Sequence, residues 1–139
     1  MVVLDTNHLT ELGYRRAAGV LLSERLEAAM LPVVTTIVSV EEQLHGWLAR
    51  IAMVSDPHAQ IVAYGELGER VNFLAAFTRL PWDKSAADLF KKLRRQGVRI
   101  GSMDLKIACI TLAHDALLLT LNTVDFAKVP GLRFENWLD

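Results

Sequence analysis

Met1-Val2-Val3-Leu4-Asp5-Thr6-Asn7 is the stretch on which the fold turns. A run of apolar, β-branched residues that stops at an acid reads as a buried parallel strand, because a strand covered by helices on both faces has no need of polar alternation. Its carboxyl end then delivers Asp5 to the edge of the sheet where open α/β folds bind their ligands. An acid in that position has two physical uses. It either caps the following helix, or it leaves capping to Thr6 or Asn7 and presents a carboxylate to a ligand.

Working outward, strand and helix patterns alternate. Leu9-Thr10-Glu11-Leu12 begins a helix, Gly13 and Gly19 permit a break, and Val20 to Met30 forms a second helical piece closed by Pro32. Val33-Val34-Thr35-Thr36 suits a second buried strand, and Val40, Leu44, Trp47, Ile51 and Val54 then recur at helical spacing. Ser55-Asp56-Pro57 is a turn and helix start, with His58 to Arg79 read as helix and Ile61, Tyr64, Leu67, Val71 and Leu74 as its core stripe. Leu80 to Asp83 connects to a helix from Ala86 to about Gln96, capped by Asp83 or Ser85 and stopped by Gly97. Ser102 caps a further helix, apolar nearly all round and hence buried, that runs to His114. Leu117 to Leu121 is a strand, Asn122-Thr123-Val124-Asp125 a polar turn, and Leu132-Arg133-Phe134 a short edge strand. The alternation predicts one α/β domain over residues 1–139, its mainly parallel sheet covered on both faces.

Composition narrows the function classes. The chain has 139 residues, enough for a substantial core, and a formal net charge of −1, so a polyanion would be held by local basic patches or a bound metal rather than by overall charge. The single cysteine, Cys109, lies in an apolar run and forms no intrachain disulfide. No apolar run is long enough to span a bilayer and the first residues lack a signal-peptide pattern, so a cytosolic protein without membrane contact is expected.

Four acids sit where a strand ends or a helix opens: Asp5, Glu42 with Glu41 beside it, Asp104 and Asp125. Each has an ordinary structural explanation. Asp104 lies in a first helical turn, Asp125 in a turn-rich stretch, and Glu41 and Glu42 fit a solvated helix face. Brought together, however, four carboxylates repel one another and stay ionised only with a cation among them, and hard oxygen donors suit Mg²⁺ or Mn²⁺. Such a site serves phosphodiester hydrolysis by a metal-activated water.

Met1 to Asn7, Ser39-Val40-Glu41-Glu42-Gln43-Leu44-His45-Gly46, Gly101-Ser102-Met103-Asp104-Leu105-Lys106-Ile107-Ala108, and Leu119-Thr120-Leu121-Asn122-Thr123-Val124-Asp125-Phe126 with Val129-Pro130-Gly131-Leu132 resemble the successive motifs of PIN-domain proteins. The likeness is greatest to VapC-type toxins of toxin–antitoxin pairs, and it runs in order from the first residue to Trp137. The resemblance implies a PIN-like three-layer α/β/α sandwich and a Mg²⁺- or Mn²⁺-dependent endoribonuclease. In it Asp5, Glu42, Asp104 and Asp125 are catalytic and hold the metal, while Thr6 and Asn122 support them. Glu42 is preferred over Glu41 because family members place the acid four residues before a glycine, here Gly46. The small residues Gly46 and Ala49 also leave that side of the helix thin enough for close backbone approach. Asp125 falls at the family's most variable acid. The resemblance further implies a homodimer and a cognate antitoxin that blocks the acidic pocket; the sequence offers Leu9 to Leu12 or Val71 to Phe77 as a dimer face, with core packing as the alternative use of the same residues.

For an RNA backbone the sequence offers Lys91, Lys92, Arg94, Arg95 and Arg99 just before the Asp104 helix, and Lys106 just after Asp104. A solvated helix face is the alternative use of the same charges. His8, where relatives carry an apolar residue, and His45, one turn after the glutamates, are read as packed or solvated, and His58 and His114 belong to no acid cluster. Other functions would leave other marks. A catalytically silent PIN-like module would bind RNA or protein without metal. An aspartate-nucleophile phosphatase wants a second Asp where Asn7 stands, and a phospho-receiver wants paired acids after its first strand; neither pattern is present.

Overall fold

The computed structural model describes all 139 residues, Met1–Asp139. Five strands, β1 (Val2–Leu4), β2 (Val33–Thr36), β3 (Thr78–Leu80), β4 (Leu117–Leu119) and β5 (Arg133–Glu135), form one sheet in the order β3-β2-β1-β4-β5. Every pairing is parallel, so the expected mainly parallel sheet is parallel throughout. Val2 stands opposite Val33 on one side and Leu117 on the other, which makes β1 the central strand and buries Val2, Val3 and Leu4 completely. Each such aliphatic side chain contributes roughly 1.5–3 kcal/mol by leaving water.

Because successive strand side chains point to opposite faces, the sheet divides the core in two. Val3, Val34 and Leu118 pack against α5 (Lys84–Arg95) and α6 (Ser102–Ala113). Val2, Leu4 and Leu119 pack against α1 (Thr6–Tyr14) and α2 (Ala17–Ala29), with Leu74 of α4 (Ala59–Ala75). α3 (Ile37–Ala52) follows β2 directly and serves both faces, Val38 on one and Val40 and Leu44 on the other. The three-layer α/β/α arrangement follows. α6 is buried along its length, with Leu105, Ile107, Ala108, Cys109, Ile110 and Thr111 inaccessible, as its all-round apolar pattern predicts.

Several sequence expectations need correction. The first helical break falls at Arg15, which takes a left-handed conformation at φ 54°, and not at the glycines. Gly13 and Gly19 lie inside helices for a packing reason: a Cβ on Gly19 would collide with the Glu11 carbonyl, and one on Gly13 with Arg70 and Phe73. Residues 78–80, read from sequence as helix running into a connector, are the edge strand β3, whose Thr-Arg-Leu sequence carries almost no apolar signal. The α4 stripe is not core: Ile61, Tyr64 and Val71 are exposed and Leu74 alone is buried, because α4 packs chiefly on α3 and away from the sheet. Ser102 donates no side-chain cap to α6. Gly46 and Ala49 meet solvent, so nothing exploits the thin side of α3 there. Leu9 is fully buried beneath the sheet and offers no assembly face.

Candidate active site

A parallel sheet gathers all strand carboxyl ends on one edge, and there the acids converge. Asp5 leaves β1 and does cap α1, so capping did not pass to Thr6 or Asn7. Its Oδ1 accepts from the Thr6 N–H at 2.7 Å, and its Oδ2 accepts from the Thr120 hydroxyl, just beyond β4, at 2.8 Å. Both oxygens are thus held, and the residue is only 6% exposed. Burial pushes its carboxyl pKa up, opposed by these hydrogen bonds.

Glu42 approaches from α3, whose N-terminus is fixed by the Thr36 hydroxyl accepting from the Ser39 N–H at 3.0 Å. Gln43 ties the same helix to α1, its amide donating to the Thr6 carbonyl at 3.2 Å and the Thr10 hydroxyl at 2.8 Å. These ties aim Glu42 inward, where its Oε2 accepts from the Thr6 hydroxyl at 3.4 Å and its Oε1 is buried with no partner. Burial first, then the neighbouring charges of Asp5 and Asp104, push Glu42 to a pKa of about 7. Glu41 is exposed on the adjoining helix face.

The other wall is organised by Asn122. It caps α7 (Thr123–Phe126), its carbonyl oxygen accepting from the Asp125 N–H at 3.4 Å. Its amide nitrogen donates to Asp104 and to Asp125, each at 3.0 Å. Burial and the charge of Asp5 raise Asp104, against the Asn122 hydrogen bond. Asp125 is lowered, foremost by that amide and further by Lys128, whose ammonium stands 3.4 Å away.

All four acids therefore stand together at one edge of the sheet, linked through Thr6, Thr120 and Asn122. The charge of Asp5 reaches both Glu42 and Asp104 and raises their pKa, and Asp125 adds to the rise at Asp104, although no three of the carboxylates are posed to close on a single ion. The donor chemistry fits a hard divalent cation: oxygen donors only, mutual repulsion, and a buried Glu42 oxygen that nothing satisfies. Thr120 escaped the sequence reading. Its signal was a lone hydroxyl where the apolar Leu117 to Leu121 run should bury only carbon.

The basic residues divide. Lys91, Lys92, Arg95 and Arg99 are exposed, but the Arg94 guanidinium is engaged by the Val98 carbonyl at 3.0 Å and lies over the Phe90 ring, so it braces the end of α5. Lys106 lies over Trp82, its ammonium 5.8 Å from the indole centroid. His8 is packed: fully buried, it accepts from the Trp137 N–H at 3.0 Å through Nε2. Burial lowers its pKa to about 4, so the imidazole is neutral. His45 is solvated.

The family model for the PIN domain matches residues 2–132. The chain belongs to the PIN-domain family. Within that family it is similar to Ribonuclease VapC1 of Haemophilus influenzae strain R2866, 31% identical over 97% of this chain and 96% of the relative, which places it among the VapC ribonucleases. It is also similar to Ribonuclease VapC2 of Rickettsia felis, 40% identical over a shorter stretch covering 36% of this chain and 37% of the relative. In three dimensions this PIN domain matches VapBC-1 from nontypeable Haemophilus influenzae, 26% identical over the whole of both chains, with a TM-score of 0.66. It shares its fold with the Rickettsia felis VapBC2 structure bound to a promoter DNA fragment, 22% identical over 99% of both chains, with a TM-score of 0.76.

Proposed function

We propose that this PIN domain is a metal-dependent endoribonuclease, the toxin of a toxin–antitoxin pair, with Asp5, Glu42, Asp104 and Asp125 holding Mg²⁺ or Mn²⁺. The observation that carries the reading is the convergence of the four acids on one sheet edge, with a buried Glu42 oxygen lacking any partner. A divalent ion held there supplies Lewis acidity toward a phosphate oxygen and acidifies the attacking water.

The chain's own groups set the geometry for that chemistry. Thr120 and the Thr6 N–H fix both oxygens of Asp5, and the Asn122 amide holds Asp104 and Asp125 in a fixed relation, so binding an ion would draw these held carboxylates and Glu42 closer together. Exposed Lys91, Lys92, Arg95 and Arg99 supply positive charge for an RNA backbone, and Lys106 marks another approach.

Ile61, Val62, Tyr64 and Val71 leave α4 with an exposed apolar face, which supports an antitoxin or a second copy as its cover. No helix is long and apolar enough to cross a membrane; the site of action we propose, cytoplasmic RNA, rests on the likeness to VapC ribonucleases.

The test is cleavage of total RNA by purified protein, with and without Mg²⁺ or Mn²⁺, for wild type and for Asp5→Asn and Asp104→Asn. Cleavage that requires the ion and disappears in both variants is expected. Full activity in either folded variant overturns the assignment. Absence of metal binding by calorimetry, with tight RNA binding kept, would make the domain a silent RNA-binding module instead.

A further inference from the structure

Beside the acidic cleft lies a second concavity that the metal site does not use. It is a groove of about 480 Å³ between the outer face of α3 and the residues that follow β3. Ile37, Glu41, Leu44 and Leu48 recur at helical spacing along its α3 wall, Trp82 forms the facing wall, and Lys106 stands at its end. Trp82 is held edge-on against Phe90, with ring centroids 5.9 Å apart and planes at 85°, so the indole is braced. The Lys106 ammonium lies 5.8 Å from the centroid of that indole and forms no salt bridge.

The position of Trp82 connects this groove to the acids. It follows β3 at the same carboxyl edge where Asp5 follows β1, and only β2 separates those two strands. At about 4.8 Å per strand spacing, the two strand ends are roughly 10 Å apart, within reach of a nucleotide next to a phosphate held at the acids. Adjoining faces of α3 serve the two sites, Glu42 turned to the acids and Glu41 to the groove rim. An aromatic face, a cation without a carboxylate partner and an apolar opposite wall are the parts that hold a single nucleotide: a base stacks on the ring while the ammonium meets its phosphate. Lys106 is a flexible side chain, so a base entering the groove displaces it from the indole toward that phosphate. Glu41 repels the backbone and so assigns the phosphate to the Lys106 end. Its carboxylate, with His45 beside it, offers hydrogen-bonding groups for a base edge.

Building on the ribonuclease reading above, we propose that this groove is a base-binding subsite, which takes one unpaired nucleobase of the RNA strand flanking the scissile phosphate. Trp82 is its stacking platform and Lys106 its phosphate contact. The subsite gives the nuclease a means of choosing where along a single strand it cuts.

The experiment uses single-stranded RNA oligomers spanning a cut site mapped in total RNA, with an abasic nucleotide placed in turn at each position flanking the cut. At one position the abasic substitution should lower wild-type kcat/KM about 5- to 50-fold. Trp82→Ala should lose a similar factor on intact RNA and nothing more on that abasic oligomer, and Trp82→Phe should recover most of it. Lys106→Gln should reduce the slope of log affinity against log salt by about one. An abasic penalty that persists undiminished in Trp82→Ala overturns the proposal. So does a Trp82→Ala variant that handles RNA as wild type does and loses only its inhibition by a protein partner, which would assign the groove to that partner. If wild type cleaves no RNA, the ribonuclease reading fails by itself, and equilibrium binding of the same oligomers decides the groove. Loss of the abasic penalty in Trp82→Ala then sustains a base subsite, and its persistence, or the absence of RNA binding by wild type, overturns it.

Discussion

Asp5 and Asp125 stand on the same sheet edge, one leaving β1 and the other following the neighbouring β4, yet they are posed by opposite means. Asp5 is buried, both oxygens accept hydrogen bonds from Thr6 and Thr120, and its pKa is raised because desolvation outweighs those bonds. Asp125 is half-buried, and the amide of Asn122 and the ammonium of Lys128 lower its pKa. One wall of the cleft is an acid whose charge is costly until something positive arrives. The other is already ionised and paired. If the acids hold a divalent cation as proposed, the contrast assigns affinity chiefly to the Asp5 side and orientation to the Asn122 side.

The largest expected effect lies on the buried wall. Asp5→Asn should lower Mg²⁺-dependent RNA cleavage by about 1,000-fold, which corresponds to about 4 kcal/mol of transition-state stabilisation. Thermal melts of metal-free protein should show the fold retained. An activity loss below about tenfold would contradict the primacy of that wall.

Next comes the support behind it. His8 lies one turn after Asp5 on α1, neutral and buried, with a folded pKa of about 4 against 6.5 for the free imidazole. Between those values the unfolded chain binds more protons than the folded one. This contribution to stability is therefore complete above about pH 6.5 and falls away as the pH drops toward 4, by at most about 3 kcal/mol. Urea titrations across that range should show the slope, and His8→Leu should flatten it. An unchanged slope in the variant would place the acid sensitivity elsewhere.

On the second wall, Asn122→Ala removes the amide that spans Asp104 and Asp125. A 10- to 100-fold loss of metal affinity or cleavage rate is expected, as for other groups that orient metal-binding carboxylates. Calorimetry with Mn²⁺ and initial rates measure it. The smallest effect should be that of Asp125→Asn, below about tenfold in rate, since the residue is half-open to solvent and its charge is partly offset by Lys128. A loss as large as that of Asp5→Asn would erase the contrast between the walls.

The sequence made one wall easier to read than the other parts of the molecule. Asp5 was legible because an apolar run ending at an acid specifies a buried strand and its edge, and α6 because a helix apolar on every side has nowhere to go but the interior. Thr120 was hidden because a hydroxyl at the end of an apolar run looks like an ordinary β-branched strand residue; only the parallel neighbour β1 gives it Asp5 to bind. β3 was missed for the same kind of reason. Thr78-Arg79-Leu80 is a strand through its ladder with β2, not through any pattern of its own. The α4 stripe failed differently. Periodicity shows that a helix has an apolar face, but not whether the chain's own sheet covers it, and here the face is left to solvent. Arg94 shows the same limit for charge, since composition counted as available a guanidinium that packing engages locally.

The hydrogen bond from Thr120 to Asp5 closes a separation of 115 residues, and that from Trp137 to His8 one of 129. Contacts this distant in sequence make assembly a late event on a growing chain. While the ribosome has yet to release β4, the nascent polypeptide has β1 without its second neighbour, Asp5 without Thr120, and neither Asn122 nor Asp125. A truncated translation product ending before residue 120 thus keeps Asp5, Glu42 and Asp104 but lacks Thr120, Asn122 and Asp125, the groups that hold those acids in place and complete the set.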